Sequence, residues 1–600
     1  MRDRFLITQV SANMQRATGD YVYRIMQPAE AMGRVSDTMV VNMAVISPHL
    51  KELCLCADIL VLHLTWEPEL LPIVAERKRR GLATVFEISD NFIALPPAVT
   101  HELSFNNPIS LATTFQLISL SDAIQGVSDI LLDRFSFLHD RRMVFENHIM
   151  ETGPMPMARG DEVVIGWGGS VGHTEDLKWI APIIGELCKA NPRVRFAFMG
   201  NRKQYDQVFG HVANHQFSYR AGSSLSEYFD FLASLDIGLA PLMNTPFNIC
   251  RSDVKFIEYA SRGVVPVLSD LGPYRKDARH GINSFFFQGP ESLRIILEML
   301  VEDRSLIQRI RENAYNYVRN ERMEQDHTME RICFYRELAK VRPTESVPSH
   351  LLEPVSSKSE VYHLKVTPSE NKMIRGLNFR RRGLLKEARQ IWSEAIQEMP
   401  EYYLPLLLVA GSLMREDKEK AMENLRLSLT INPQSLRARF FLGQALKEYD
   451  SESAREAFEM ALQVFPDFAP AWKELALLKE ENKDYKEAAK LMDKSLKCNP
   501  FYVPAASELG RLYLMLGRSD LAVEAFRVAA NLMPEKLNYE VDFIKALIAD
   551  GRPAEAIEEC ENYLQQYPQC IKMHQILEKI SVFQGKDETA SQNMQAAKVK

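Results

Sequence analysis

The sequence predicts two doubly wound parallel α/β domains in series, followed by an all-α solenoid. Three observations predict it. Over about the first 340 residues, short apolar runs alternate with amphipathic stretches, in two consecutive sets. The last third repeats with a period of 33 or 34 residues. Between them, 341–368 is rich in Pro and Ser and keeps no hydrophobic period. The expected organisation is an N-terminal domain at 1–150, a second α/β domain at 151–340, a linker at 341–368 and repeats at 369–600.

The first set of apolar runs predicts strands at 5–10, 38–43, 59–64, 83–88, 123–127 and 143–146. The second predicts strands at 163–167, 195–199, 217–220, 237–240, 264–268 and 284–287. Stretches such as 68–80, 175–190 and 226–234 carry helical periodicity between them. Continuous apolar runs joined by helices mark parallel sheets covered on both faces. Such sheets bind ligands beyond the carboxyl ends of their strands, and two facing sheets make a cleft. A helix at 292–319 is expected to close the second domain, and 321–339 to cross back onto the first.

In the last third, prolines recur at Pro400, Pro433, Pro466, Pro500, Pro534 and Pro568. Twelve residues before each stands an alanine: Ala388, Ala421, Ala454, Ala488, Ala522 and Ala556. Eight before it is a larger residue: Trp392, Leu425, Phe458, Met492, Phe526 and Cys560. The small residue lets two helices of a hairpin approach, the larger one fills the gap, and the proline stops the second helix. The pattern resembles the tetratricopeptide repeat, most closely in the fifth copy: Leu509, Gly510, Tyr513, Ala522, Phe526, Ala529 and Pro534. Six repeats are expected over roughly 369–569, with a capping pair running to Lys600. The resemblance implies a concave face that takes a protein or peptide partner. Self-association into a homo-oligomer is the alternative reading.

Composition excludes several classes. With 46% hydrophobic and 25% charged residues, 27 Gly and 30 Pro, the chain is neither collagen-like nor wholly disordered. A net charge of −7 gives no global basic field for nucleic acid. The eight cysteines are sparse, and Cys54 and Cys56 have no His or Cys at zinc spacing, so reduced packing thiols are expected. No apolar stretch reaches the roughly 20 residues of a membrane span, and the first run is short for a secretory signal. A cytoplasmic location is the expectation.

Two stretches suggest chemistry. At 163–177, VVIGWGGSVGHTEDL reads as a strand, a glycine-rich turn with Gly169 and Ser170, then a helix. Backbone N–H groups at such a turn suit a phosphate, and a tight structural turn is the competing reading. At 237–270, IGLAPLMNTPFNICRSDVKFIEYASRGVVPVLSD reads as strand, loop, helix and strand. Ser252 is the expected N-cap, with Arg251 and Lys255 bracketing a helix start that favours an anion. Glu258 is one to two turns on, within reach of a ribose; a solvated Lys–Glu pair is the competing reading.

These stretches resemble the donor-binding segment of GT-B glycosyltransferases, in particular retaining family 4. SDVKFIEYASRGVVPVLSD and IGWGGSVGHTEDL carry the resemblance, with looser likeness in VFENHI at 144–149, GDYVYRIMQPAEAM at 19–32 and FEISDN at 86–91. It covers about 1–335 and implies two Rossmann-like domains. It implies Glu258 at the donor ribose, Gly169 and Ser170 at the distal phosphate, and Arg251 and Lys255 at the diphosphate. Arg202 is a further candidate at the base or phosphate, with a surface arginine as the competing reading. The family's first motif glutamate falls at Cys250, a departure for which Asn248, Arg251 or Ser252 substitutes. Asp90 is expected to orient an acceptor hydroxyl, His173 to act beside the phosphate turn, and His63 to be a core or acceptor-side histidine. The resemblance implies an enzyme that takes a nucleotide-sugar donor and needs neither metal nor cofactor, and no convincing Asp-x-Asp site is found in the sequence. Its acceptor is a protein recruited by the repeats. The alternatives are a lipid-linked or polysaccharide acceptor, or a degenerate scaffold.

Overall fold

Among the described residues, fourteen strands in two sheets organise the first part of the chain. In the computed structural model the described residues are 4–12, 19–95, 107–155, 160–222, 224–357, 359–534 and 536–583. They fall into two units, 1–106 with 117–366, and 107–116 with 367–600.

In the first unit, the first sheet holds β1 (Phe5–Ser11), β2 (Thr38–Ala44), β3 (Ile59–His63), β4 (Ala83–Ile88), β5 (Ala123–Gly126) and β6 (Arg142–Val144). The second holds β7 (Val163–Gly168), β8 (Val194–Gly200), β9 (Phe217–Ala221), β10 (Ile237–Ala240), β11 (Val265–Ser269) and β12 (Phe285–Phe287). Every predicted strand forms, within a residue or two of its expected ends. The orders are β2-β1-β3-β4-β5-β6 and β12-β11-β10-β7-β8-β9, with every one of these pairs parallel.

The expected linker departs from this reading. It adds β13 (Leu352–Pro354) and β14 (Val361–Leu364) to the outer edge of β2. β14 runs parallel to β2, with Val361 opposite Val40. Gly33 makes the approach possible, because a Cβ there would lie 2.4 Å from the Val361 side chain. Four residues of alternation among Pro and Ser are too few to show as a strand in the sequence.

The chain passes between the sheets twice. Ile149 N–H donates to Arg322 O (2.9 Å) and Glu324 N–H donates to Ile149 O (3.0 Å), so the two crossings are tied to each other. Arg322, 3% exposed, binds Asp253 and Asp277 and donates to Asn147 O. The helix Glu324–Leu338 then crosses back as expected: Ile332, Phe334 and Tyr335 enter the core with Ile7, Val40 and Val61.

Among the described residues, the second unit contains six helical hairpins, from Pro368–Arg381 with Leu385–Glu398 to Leu537–Ala549 with Pro553–Gln566. Each second helix ends two residues before its periodic proline. All six periodic alanines are fully buried. One further helix, Ile571–Phe583, follows, and the rest of the expected cap lies outside the described residues. Among the described residues no helix is long and apolar enough to cross a membrane.

Close approach inside the hairpins needs glycine at three positions, the first being Gly376, where a Cβ would run into the Trp392 ring. A Cβ on Gly443 would meet the Phe458 ring at 2.5 Å, and one on Gly510 would meet Phe526 at 2.7 Å. Gly510→Ala is therefore expected to cost about 1–3 kcal/mol by overpacking, despite alanine's better helix propensity. Chemical denaturation of the array, followed by helical ellipticity, checks this. A stabilised variant would contradict the packing.

Candidate functional site

The site lies in the first unit, where both sheets reverse their winding. β7 and β10 are neighbours in the second sheet, as are β1 and β3 in the first. At such points the outgoing loops diverge and leave a crevice beyond the carboxyl ends. The 169–173 turn leaves β7, the 241–253 loop leaves β10, and residues 89–92 leave β4. The last two loops meet: Asn91 Nδ2 donates to Pro246 O at 2.9 Å.

The turn after β7 is built on glycine. A Cβ on Gly169 would press into the Trp167 ring at 2.7 Å. Its N–H donates to Met199 O (3.1 Å), so it extends the sheet and is not a free phosphate donor. Ser170 is exposed and opens the short turn Val171–His173, from which the helix Thr174–Ala190 runs. The first N–H groups of a helix lack intrahelical partners, so this end keeps anion-binding capacity.

His173 and Arg251 form the centre of the site. His173 is buried, and its Nδ1 is 3.0 Å from Asp176 Oδ2. Its Nε2 faces Arg251 Nη1. Arginine only donates, so Nε2 accepts and Nδ1–H donates to Asp176. Burial, then the Arg251 charge, push the imidazole down to about 4, so it is neutral at pH 7. Asp176 Oδ1 accepts from Met243 N–H (2.8 Å) and Asn248 Nδ2 (3.1 Å), and so ties the β10 loop to the helix. Arg251 rests on the Phe247 ring at 4.9 Å, and its Nε is buried without a hydrogen-bond partner.

A second group braces the same turn. Lys255 Nζ donates to Gly168 O (2.8 Å), to Tyr228 Oη (2.5 Å) and to Glu258 Oε2 (3.0 Å). Glu258, 5% exposed, also accepts from Tyr228 Oη (2.7 Å) and, on Oε1, from Tyr23 Oη (3.0 Å). All three ammonium protons of Lys255 are thus engaged within the protein. Tyr23 comes from the N-terminal side, so this contact also joins the two sheets' domains.

Opposite lies an acidic and histidine cluster. Asp90 is half-buried at the end of β4. Burial raises its carboxyl to about 6, with Asp20 adding to the rise and Arg251 and His63 opposing it. His63, at the end of β3, lies 3.2 Å from Asp20 and 3.0 Å from Ser11 Oγ. Burial would lower His63, but the charge and hydrogen bond of Asp20, with Glu87, raise it. It belongs both to the core and to the site.

Two sequence expectations change, those for Ser252 and Arg202. Ser252 does not cap the helix Val254–Ser261: Asp253 holds the N-cap position and pairs with Arg322, while Ser252 Oγ accepts from Asn147 Nδ2 at 3.0 Å. Arg202 lies on the surface, 64% exposed, paired with Asp206 and stacked on Tyr219. Cys250 is fully buried, 3.7 Å from Asn91 Nδ2. Asp90 also acts electrostatically on this thiol, so a glutamate there would be a second carboxylate in the same buried junction. Sequence reasoning missed Asp20, Tyr23, Asp176 and Tyr228. The GDYVYR string held a signal for the first two; nothing local marks Tyr228.

The depressed His173 has a consequence for stability. A base whose folded value lies below its ordinary 6.5 binds fewer protons than in the unfolded chain. Its stability contribution is present above about pH 6.5 and is lost as the pH falls toward about 4. Asp90 acts in the opposite sense, contributing below its ordinary range and losing that as pH rises through about 6. Comparing wild type with His173→Asn cancels Asp90. The stability advantage of wild type is expected to shrink by about 2 kcal/mol between about pH 7.5 and about 5. A pH-independent difference would contradict the neutral imidazole.

A tetratricopeptide repeat family model matches residues 445–503. Similar solved structures include HepE of Anabaena in complex with UDP and glucose, at 12% identity and TM-score 0.43, covering 56% of this chain and all of that one. Sucrose-phosphate synthase of Thermosynechococcus elongatus is similar at 10% identity and TM-score 0.45, covering 56% of this chain and 99% of that one. A thermophilic tetratricopeptide protein of Thermus thermophilus is similar at 21% identity and TM-score 0.26, covering 30% of this chain and 99% of that one. No protein of curated function matches the sequence.

Proposed function

We propose that the first unit transfers a glycosyl group from a nucleoside-diphosphate sugar to an acceptor hydroxyl. The observation that carries this reading is Arg251. Its buried, unpartnered Nε and neutral His173 stand beside a helix-end turn, at the reversal point of a parallel sheet. That combination suits a diphosphate. As the bond from the anomeric carbon to the diphosphate oxygen breaks, negative charge grows on the leaving group. A fixed guanidinium and oriented N–H groups stabilise that charge with little reorganisation. Asp90 orients the acceptor hydroxyl, and the acceptor proton passes to the departing diphosphate. The resemblance to retaining family 4 supports retention and a reaction that needs no metal or other cofactor. Ser170, Asn248 and Ser252 serve the site by holding its loops. Glu258 meets a ribose only if Tyr23 gives way. A protein acceptor or partner on the repeats' concave face completes the reading.

A second reading, a non-catalytic scaffold, is favoured by one observation: Lys255 and Glu258 satisfy each other and their neighbours. A panel of nucleotide sugars separates the two, measured for binding and slow hydrolysis with and without divalent cation. Selective consumption of one donor supports the transferase. Binding without consumption, or no binding, supports the scaffold.

A further inference from the structure

The second unit includes ten residues that are remote from the repeats in sequence. Residues 107–116 group with 367–600. They form the start of the helix Pro108–Leu120, where Asn107 Oδ1 accepts from Ile109 N–H at 2.9 Å. Leu111, Ala112, Thr113, Thr114, Phe115 and Gln116 are all buried. A helix lying on a surface buries one stripe, and six consecutive buried residues exceed that.

The repeats hold this segment through two inter-repeat turns. Asn499 Nδ2 donates to Ala112 O at 2.9 Å. The Oδ1 of the same residue accepts from Phe501 N–H (3.1 Å), which fixes the amide's orientation. Asn432 makes the equivalent turn bond to Gln434 N–H two repeats earlier in the array, so the turn bond is generic and the Nδ2 is spare for recognition. Gln116 Nε2 donates to Asp467 O (2.7 Å) and Cys498 O (3.4 Å), both beside these turns. Phe115 meets Phe501 edge to face, with centroids 5.7 Å apart. Ala112 packs with Ala469, Tyr502, Ala505 and Leu509. Backbone carbonyls read by side-chain amides, a small residue against a close wall and one aromatic anchor are the elements of helix-in-groove recognition.

We propose that the turns at 465–468 and 499–502 form a recognition site for a helical segment, occupied here by the chain's own residues 107–116. The site reads an alanine followed by an aromatic and an amide, three and four residues on. An outside helix using it must displace residues 107–116. The inference stands apart from the transferase reading.

The test uses the full-length protein and a labelled peptide of residues 107–116. Ala112→Glu empties the site by placing a charge against Tyr502 and Ala505. A self-occupied site weakens apparent affinity by the fraction that is open. The peptide is therefore expected to bind the variant at least about tenfold more tightly than wild type, and a further Asn499→Leu is expected to remove the gain. Equal binding to both proteins, or none to the variant, overturns the proposal. Hydrogen exchange on the unaltered protein decides it independently of how the variant folds. Reversible docking requires residues 109–116 to exchange at least about tenfold faster than Val503–Met515. Exchange of both only in one common unfolding overturns it.

Discussion

Glu258→Ala is expected to destabilise the first unit by about 3–5 kcal/mol, the range for breaking one side of a buried ion pair. The Lys255 and Glu258 side chains are 13% and 6% exposed, so water cannot replace the lost carboxylate. Tyr23 and Tyr228 would lose their acceptors at the same time. Glu258→Gln keeps an acceptor for the tyrosines and is expected to cost less, about 1–3 kcal/mol. Hydrogen exchange along β7, β10 and β11 measures the effect within this unit, without assuming that the whole chain unfolds in one step. An alanine variant as stable as wild type would contradict the bracing role. Lost activity in Glu258→Ala is therefore no measure of a donor contact. The glutamine variant, at matched stability, is the informative one.

Arg251→Ala is expected to lower donor cleavage by about 10²–10³-fold, the cost of removing one preorganised charge stabiliser. Its Nε has no internal partner to lose, and what it gives up is the Nη1 contact to neutral His173 and the stacking on Phe247. The stability effect is expected to stay near 1 kcal/mol. Arg202→Ala is the control, with an effect within about twofold, because its exposed guanidinium is already paired with Asp206. Equal losses for both variants would remove Arg251 from the site.

The two sheets were legible because buried parallel strands are nearly all apolar; most of β1 to β12 carry that signal in their own residues, while the edge strands β6 and β9 are partly exposed and carry it weakly. The repeats were legible for a different reason. Their helices must interlock at one spacing, so Ala388 and its five counterparts repeat. β13 and β14 were not legible, because their partner is β2, some 300 residues away in sequence. The same limit hid residues 107–116. Read locally, PISLATTFQLISL is simply an apolar helix, and its place among the repeats depends on Asn499 and Phe501. At the site, Arg251 and His173 could be found from the strand–turn–helix pattern. Lys255 was read at the start of its helix, and its engagement by Gly168, Tyr228 and Glu258 is a tertiary property. Ser252 was misjudged because a serine before a helix usually caps it, and here the segment that crosses between the sheets claims its hydroxyl through Asn147.

Calorimetric titration of uridine, guanosine and adenosine diphosphates into wild type and Arg251→Ala tests the central claim most directly. The site is predicted to bind at least one of them, with affinity falling by about tenfold or more in the variant, as expected for loss of one charge-assisted contact. Binding that is indifferent to Arg251, or no binding of any of the three, would contradict it.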